Sequence, residues 1–149
     1  MKIRLANVGD LGAIRELVEA VSVELEDAYG TPRMDDLMMA GITHGVREGE
    51  AVVVAEQLGG LVGYCAWVHL PSSPVGCVEG IGTYVVPMAR KEYVSHDMRV
   101  FATEHARRLG YDFIRGELAL NNEAGLKSAL ANGFEISGYT VRKDLGGSR

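Results

Sequence analysis

The hydrophobic and polar positions of the first fifty residues change from a strand period to a helical one. Residues 2–6 alternate in polarity, which predicts a short strand. After Asp10, a residue type that favours helix N-caps, apolar side chains recur every three or four positions, which predicts a first helix. Charged residues form the other side of this helix: Arg15, Glu16, Glu19 and Glu24. A weaker helical pattern begins at Thr31-Pro32 and continues to Val46.

From residue 51 the pattern favours strands joined by turns. Ala51–Glu56 is rich in valine, Gly59-Gly60 marks a hairpin, and the apolar pattern returns in Leu61–Leu70. Pro71–Pro74 is typical of a loop, and Val75–Val86 predicts the next strand.

After Pro87 the helical period returns. An apolar stripe predicts a helix for which Gly110 is the C-cap: Met98, Phe101, Ala102, His105 and Leu109. Asp112–Leu120 predicts a fifth strand, and Asn122 is the expected N-cap of a short helix. Phe134–Leu145 predicts the final strand or strands.

This order of elements predicts an α/β fold, with an α+β mixed sheet of about six to seven strands and about four helices on its two faces. We expect one domain spanning residues 1–149, with 146–149 as a loose tail. Residues 75–120 form a predicted strand–helix–strand unit with parallel strands. Ligands bind such sheets at the carboxyl ends of strands, so the loop after Val86, which leads into a helix N-terminus, is a candidate phosphate site.

Composition and charge narrow the functional classes. The chain is 47% hydrophobic and 23% charged, which is typical of a folded globular protein. Its apolar stretches are strand-length, far below the roughly 20 residues that a bilayer requires, and its start has no signal-peptide pattern, which predicts a cytoplasmic protein without a membrane partner. The net charge of −5 argues against nucleic acid as a partner. Cys65 and Cys77 lack metal-ligand spacing, so no metal is expected.

Four stretches then follow one another in a fixed order: IRLANVGDLGAIRELV, VVVAEQLGGLVGYCAW, YVVPMARKEYVS and LGYDFIRGELALNNEAGLKSALANGF. Together they resemble the GNAT N-acetyltransferase superfamily along nearly the whole chain. The third stretch occupies the place of that family's V-x-P-x-x-R-x-x-G-x-G/A signature, whose loop holds the pyrophosphate of coenzyme A. The resemblance implies a GNAT-like acyl-CoA N-acyltransferase fold.

The resemblance also implies a reaction and a set of binding residues. Acetyl-CoA would be the acyl donor, without a metal, and a primary amine of a small molecule or peptide would attack it directly. Backbone groups of Tyr84 and Val85 would align the pantetheine arm and polarise the carbonyl. The pyrophosphate segment would comprise Arg90, Lys91, Glu92, Tyr93, Val94 and Ser95, and Asn122 would contact the coenzyme or only cap its helix. Family members are often dimers, so a homodimer is one expectation.

Two departures from the family pattern bear on activity. Tyr93 and Ser95 stand where the family's loop carries glycines, and no glycine occurs between Gly82 and Gly110. Tyr93 either points away from the cleft or narrows the pyrophosphate groove. Ala129 stands where many relatives place the tyrosine that protonates the leaving thiolate, and loss of such a general acid slows a reaction by about 10²–10⁴-fold.

Two carboxylates are candidate general bases. Glu79 precedes Arg90 by 11 residues, and Glu117 precedes Asn122 by five, and both spacings resemble those of catalytic glutamates in the family. A structural role is the alternative for each of them, since strands carry polar residues on their wetter face. We expect at least one to be partly desolvated and to face the cleft. Of the histidines, only His96 lies close to the phosphate loop along the chain.

Three hypotheses follow. The first is an N-acetyltransferase, and the second is a degenerate, non-catalytic GNAT-fold module that binds acyl-CoA weakly or serves in assembly or regulation. The third, a structural protein that binds no coenzyme, has less support because Arg90, Lys91 and Asn122 are in place. The acceptor is not determined by the sequence.

Overall fold

The computed structural model describes residues 1–146, apart from the side chains of Lys91 and Glu92. Within that range the chain forms two compact units, Met1–Glu117 and the residues from Leu118 onward. The strands are β1 (Lys2–Leu5), β2 (Ala51–Gln57), β3 (Gly60–Val68), β4 (Cys77–Val85) and β5 (Phe113–Arg115). The α-helices are α1 (Leu11–Tyr29), α2 (Asp35–Arg47), α3 (Val94–Arg108) and α4 (Glu123–Ala131).

The first unit is built on a mixed sheet with the order β1-β2-β3-β4-β5. Neighbouring strands from β1 to β4 are antiparallel, whereas β4 and β5 are parallel, as expected for a strand–helix–strand unit. The hairpin between β2 and β3 turns at Leu58-Gly59, where both residues have positive φ angles, as a tight two-residue turn requires.

Helices cover both faces of this sheet. On one face α3 packs its buried side chains, such as Met98 and Ala102, against Val53 and Trp67. On the other face α1 and α2 bury Ile14 and Ile42 among residues of β2, β3 and β4. The alternating strands can fill two cores because successive side chains point to opposite faces. The predicted two-sided packing is therefore confirmed for this unit.

Four expectations need correction. The described chain has five strands rather than six or seven, and β5 has three residues instead of spanning 112–120. Residues 134–146 form no strand, and apart from the half-buried Phe134 their apolar side chains, among them Tyr139 and Val141, are exposed. Alternation favours a strand only where a partner ladder and a buried face are available. Asp10 precedes α1 as predicted, but its carboxylate binds Arg4 and the Asn7 amide instead of capping that helix.

The short helix of the second unit, α4, agrees with its prediction. The Asn122 side chain accepts a hydrogen bond from the Gly125 amide at 2.9 Å, so it caps α4 as expected.

None of the helices among residues 1–146 is long and apolar enough to cross a bilayer.

Gly45 allows α2 to approach the sheet closely. A Cβ atom at this position would lie 2.5 Å from a methyl carbon of Val68 and 3.0 Å from one of Val52. We expect Gly45→Ala to lower the free energy of unfolding by about 1–3 kcal/mol through overpacking, measured by denaturant titration. Gly12→Ala on α1 is the control, because its Cβ would meet open space, and it should be neutral or stabilising. A stable Gly45→Ala variant would contradict this packing.

Candidate functional site

An open cleft of about 590 Å³ lies where β4 ends and α3 begins. Its walls come from α1, from residues Thr83–Val85 of β4 and from the start of α3. The volume lies within the range of about 300–1,000 Å³ that small-molecule sites occupy. The cleft is therefore large enough for part of a cofactor or a small substrate.

One wall is the edge of β4. The ladder between β4 and β5 covers only Cys77–Glu79, and beyond it β4 pairs with β3 alone within the described chain. Ile81 is an extra residue in the β3–β4 register, because Ala66 faces Gly82 whereas Trp67 faces Gly80. Since the Val86 amide donates to the Val62 carbonyl at 2.8 Å, the backbone groups of the preceding residue, Val85, turn away from β3 and towards the cleft.

The other wall is the N-terminus of α3. The first hydrogen bond of this helix runs from the Asp97 amide to the Tyr93 carbonyl, at 3.0 Å, so the amides of Val94, Ser95 and His96 have no acceptor within the helix. These three residues line the cleft, and none of the described side chains forms a cap at this helix start. An uncapped helix start presents donors and the positive end of the helix dipole, which together favour an anion.

Tyr93 adopts the conformation that a glycine would favour. Its φ is +55° and its ψ is 22°, in the left-handed region, and its side chain is 81% exposed at the rim of the cleft. A non-glycine residue in this region costs about 1–2 kcal/mol. A tyrosine therefore forms the left-handed turn before α3, and its ring lies mainly in solvent.

Arg90 lies across the cleft, in the 3-10 helix Pro87–Glu92 that follows β4. Its Nε donates to the Val85 carbonyl at 2.9 Å, and its Nη2 contacts both carboxylate oxygens of Glu24, at 3.0 and 2.9 Å. The Tyr84 hydroxyl also donates to Glu24, at 3.1 Å. Burial, and then the hydrogen bond to Glu24, raise the pKa of Tyr84, so this hydroxyl stays protonated near neutral pH.

Glu24 is the site residue that the sequence pattern missed. It was assigned to the polar face of α1, but it lies in the cleft beside Val21. The signal was its place between Val21 and Leu25, because a residue next to an apolar stripe lies at the border of the buried face.

The two predicted bases lie elsewhere. Neither Glu79 nor Glu117 lines the cleft, and Glu117 is exposed. Glu79 forms an ion pair with Arg115 and accepts a hydrogen bond from the Ser73 hydroxyl at 3.1 Å. The hydrogen bond from Arg115 lowers the pKa of Glu79 in spite of partial burial, which is the opposite of the shift expected for a general base at this position.

The structure brings together six of the predicted coenzyme-binding residues in this cleft: Tyr84, Val85, Arg90, Tyr93, Val94 and Ser95. The side chains of Lys91 and Glu92 lie outside the described part of the chain. For Asn122, the contact that the structure shows is the cap of α4.

No cluster of His, Cys, Asp or Glu suited to a metal ion occurs among the described residues. Cys65 and Cys77 are buried free thiols, and burial raises the pKa of Cys65 to about 11, so this thiol stays protonated.

No family model and no curated protein sequence matches the chain. Solved structures do match it. An N-acetyltransferase from Staphylococcus aureus Mu50 is 23% identical, with a TM-score of 0.72 over 92% of this chain and 84% of that one. A ribosomal-protein-alanine N-acetyltransferase from Brucella melitensis is 22% identical, with a TM-score of 0.71 over 93% and 86% of the two chains. YncA, a putative acetyltransferase from Salmonella typhimurium solved with its cofactor acetyl-CoA, is 22% identical, with a TM-score of 0.72 over 92% and 80%. At these identities the match shows a shared fold.

The left-handed backbone at Tyr93 generates a stability prediction. Tyr93→Gly should be more stable than Tyr93→Ala by about 0.5–1 kcal/mol, because glycine removes the cost of the Cβ whereas alanine retains it. Thermal or denaturant unfolding of the two variants measures this difference. Equal stabilities would contradict the left-handed conformation at this position.

The ion pair of Glu79 generates a pH prediction. Glu79→Gln should lower the free energy of unfolding by about 1 kcal/mol at neutral pH. Because the pKa of Glu79 is lowered by folding, its stabilisation is complete above the carboxyl's usual pKa of 4.5 and is lost as the pH falls through the folded-state pKa. The difference between wild type and variant should therefore shrink on acidification. Glu16→Gln, on the exposed side of α1, is the control, and an equal effect of both changes would contradict a specific role for Glu79.

Proposed function

We propose that this chain, which has the fold of the GNAT N-acetyltransferases, binds acetyl-CoA in the cleft between β4 and α3 and transfers the acetyl group to a primary amine. The acceptor is a small molecule or a peptide. We also propose that the cleft takes the pantetheine arm along β4 and the pyrophosphate at the start of α3.

The observation that carries this proposal is the junction of two binding elements. The unpaired edge of β4 at Val85 offers backbone groups to an extended, amide-containing arm. In the same cleft, the amides of Val94, Ser95 and His96 at the start of α3 offer donors to a pyrophosphate. A ligand that joins an amide-containing arm to a pyrophosphate matches both elements at once, and coenzyme A has this composition. The Salmonella typhimurium structure with the same fold holds acetyl-CoA.

In the proposed reaction the amine nitrogen forms a bond to the thioester carbonyl carbon, and the bond from that carbon to sulfur breaks. The nitrogen loses one proton, and the departing thiolate takes one up. Amide donors on the open edge of β4 would stabilise the developing oxyanion, and positioning of the amine would supply much of the acceleration. Among the described side chains of the cleft, the carboxylate is that of Glu24. Because Glu24 already accepts hydrogen bonds from Arg90 and Tyr84, we assign the uptake of the amine proton to water in the open cleft.

A second candidate function is a module that binds acyl-CoA without turnover. It is favoured by the place of Glu79, which is held by Arg115 away from the cleft, and by Ala129 in place of the family's tyrosine. The two functions share the binding step and differ in turnover. A coenzyme-binding assay therefore tests what they have in common, and an acetyl-transfer assay separates them.

Ser95→Glu tests the binding step. The new carboxylate would compete for the helix amides and repel a pyrophosphate, so the affinity for acetyl-CoA measured by calorimetry should fall by about 10-fold or more. A negative charge in the first turn favours the helix itself, so loss of folding should not explain the result. Val100→Glu, on the exposed side of the same helix and outside the cleft, should leave the affinity unchanged.

Failure of the wild-type protein to bind acetyl-CoA would contradict both candidate functions. If it binds, release of free thiol in the presence of a panel of primary amines, such as amino sugars, polyamines and peptide N-termini, would establish the enzyme. Binding without thiol release for any of these amines would favour the module. A loss of about 10²-fold in turnover with Glu79→Gln would restore Glu79 as the base.

A further inference from the structure

Arg90 and Glu24 occupy the part of the cleft that a cofactor would need. Arg90 covers the Val85 carbonyl, which is an acceptor at the open edge of β4, through its Nε at 2.9 Å. Its guanidinium carbon lies 5.4 Å from the centre of the Tyr84 ring, and the carboxylate of Glu24 holds its other side. Residues from α1, β4 and the segment after β4 thus close on one another across the cleft.

We propose that these two residues form a clasp, the Arg90–Glu24 clasp, which the pantetheine arm of an incoming acyl-CoA must open. This inference rests on the proposed function, because the arm would need the Val85 backbone that Arg90 covers. Opening the clasp frees the carbonyl for the arm and frees a guanidinium for the pyrophosphate next to it. Glu24 therefore acts as a positioning residue that sets the affinity of the cleft for ligands with a pantetheine arm.

The exposure of the pair shows why a ligand can open it. The side chains of Arg90 and Glu24 are 46% and 43% exposed, so solvent screens their attraction. Ion pairs of this kind change an equilibrium constant by about two- to five-fold. The clasp is thus strong enough to compete with a ligand and weak enough to yield to one.

Glu24→Ala tests the clasp with two ligands. Calorimetry should show acetyl-CoA binding about two- to five-fold more tightly to the variant than to the wild type. Removal of a negative charge by itself favours any anion, so ADP, which has a pyrophosphate but no pantetheine arm, serves as the comparison ligand. If the clasp exists, Glu24→Ala should increase the affinity for acetyl-CoA more than the affinity for ADP. If only the loss of a negative charge matters, both affinities should increase by the same factor. Glu104→Ala, which breaks the ion pair with Arg107 outside the cleft, should change neither affinity.

A second measurement observes the clasp without depending on affinity. The Nε–H proton of Arg90, assigned by its loss in Arg90→Lys, should be protected from solvent exchange in ligand-free wild-type protein. This protection should be lost in Glu24→Ala and on saturation with acetyl-CoA. Two results would contradict the clasp and leave the proposed function standing. In one, the wild type binds acetyl-CoA but the Arg90 proton is unprotected beforehand or its protection does not change. In the other, Glu24→Ala increases the affinities for acetyl-CoA and ADP by the same factor. If neither protein binds acetyl-CoA, the proposed function fails and the clasp has no ligand to open it.

Discussion

The candidate site depends on the point at which β4 and β5 separate. Their parallel ladder spans three residue pairs. The extra residue Ile81 in the β3–β4 register changes the direction of the rest of β4. A strand edge without a partner leaves backbone donors and acceptors to be satisfied by solvent or by a ligand. Because β4 leads through the 3-10 helix Pro87–Glu92 into α3, the open edge and the helix N-terminus line the same cleft. The shape of the cleft and its hydrogen-bonding capacity therefore have the same origin.

Local electrostatics in the cleft differ from those of the chain as a whole. The net charge is −5, yet the cleft combines the positive end of α3 with Arg90 and Arg99. Glu24 is the opposing charge among the described side chains of the cleft, and Arg90, its ion-pair partner, donates a hydrogen bond to the Val85 carbonyl. Oriented groups at short range determine which ligand a cleft attracts, whereas net charge acts mainly on solubility and long-range encounter.

Tyr93 illustrates how a fold accommodates a residue other than glycine in the left-handed region. Tyr93 takes positive φ, and the residues that follow it anchor the helix, since Val94 and Met98 are buried against the sheet. Burial of such side chains contributes about 1.5–3 kcal/mol each, which exceeds the cost of about 1–2 kcal/mol for a left-handed tyrosine. The packing of α3 thus keeps the loop on its path, and the exposed ring leaves the helix amides open to the cleft.

Local patterns in the sequence determined the helices, the hairpin, the strand–helix–strand unit and the cap at Asn122, because periodicity, turn residues and caps act between neighbours in the chain. The loop after Val86 was identified as a candidate phosphate site from its place between a strand and a helix, whereas Tyr84, Val85 and the residues from Arg90 to Ser95 were implied by the family resemblance. Only the tertiary structure decided that Glu24 enters the cleft, that Glu79 pairs with Arg115, and that Phe134–Leu145 forms no strand. Glu24 and Arg90 are 66 residues apart along the chain, and Glu79 and Arg115 are 36 residues apart. Their contacts depend on how elements pack, and a pattern read along one element does not contain the position of another.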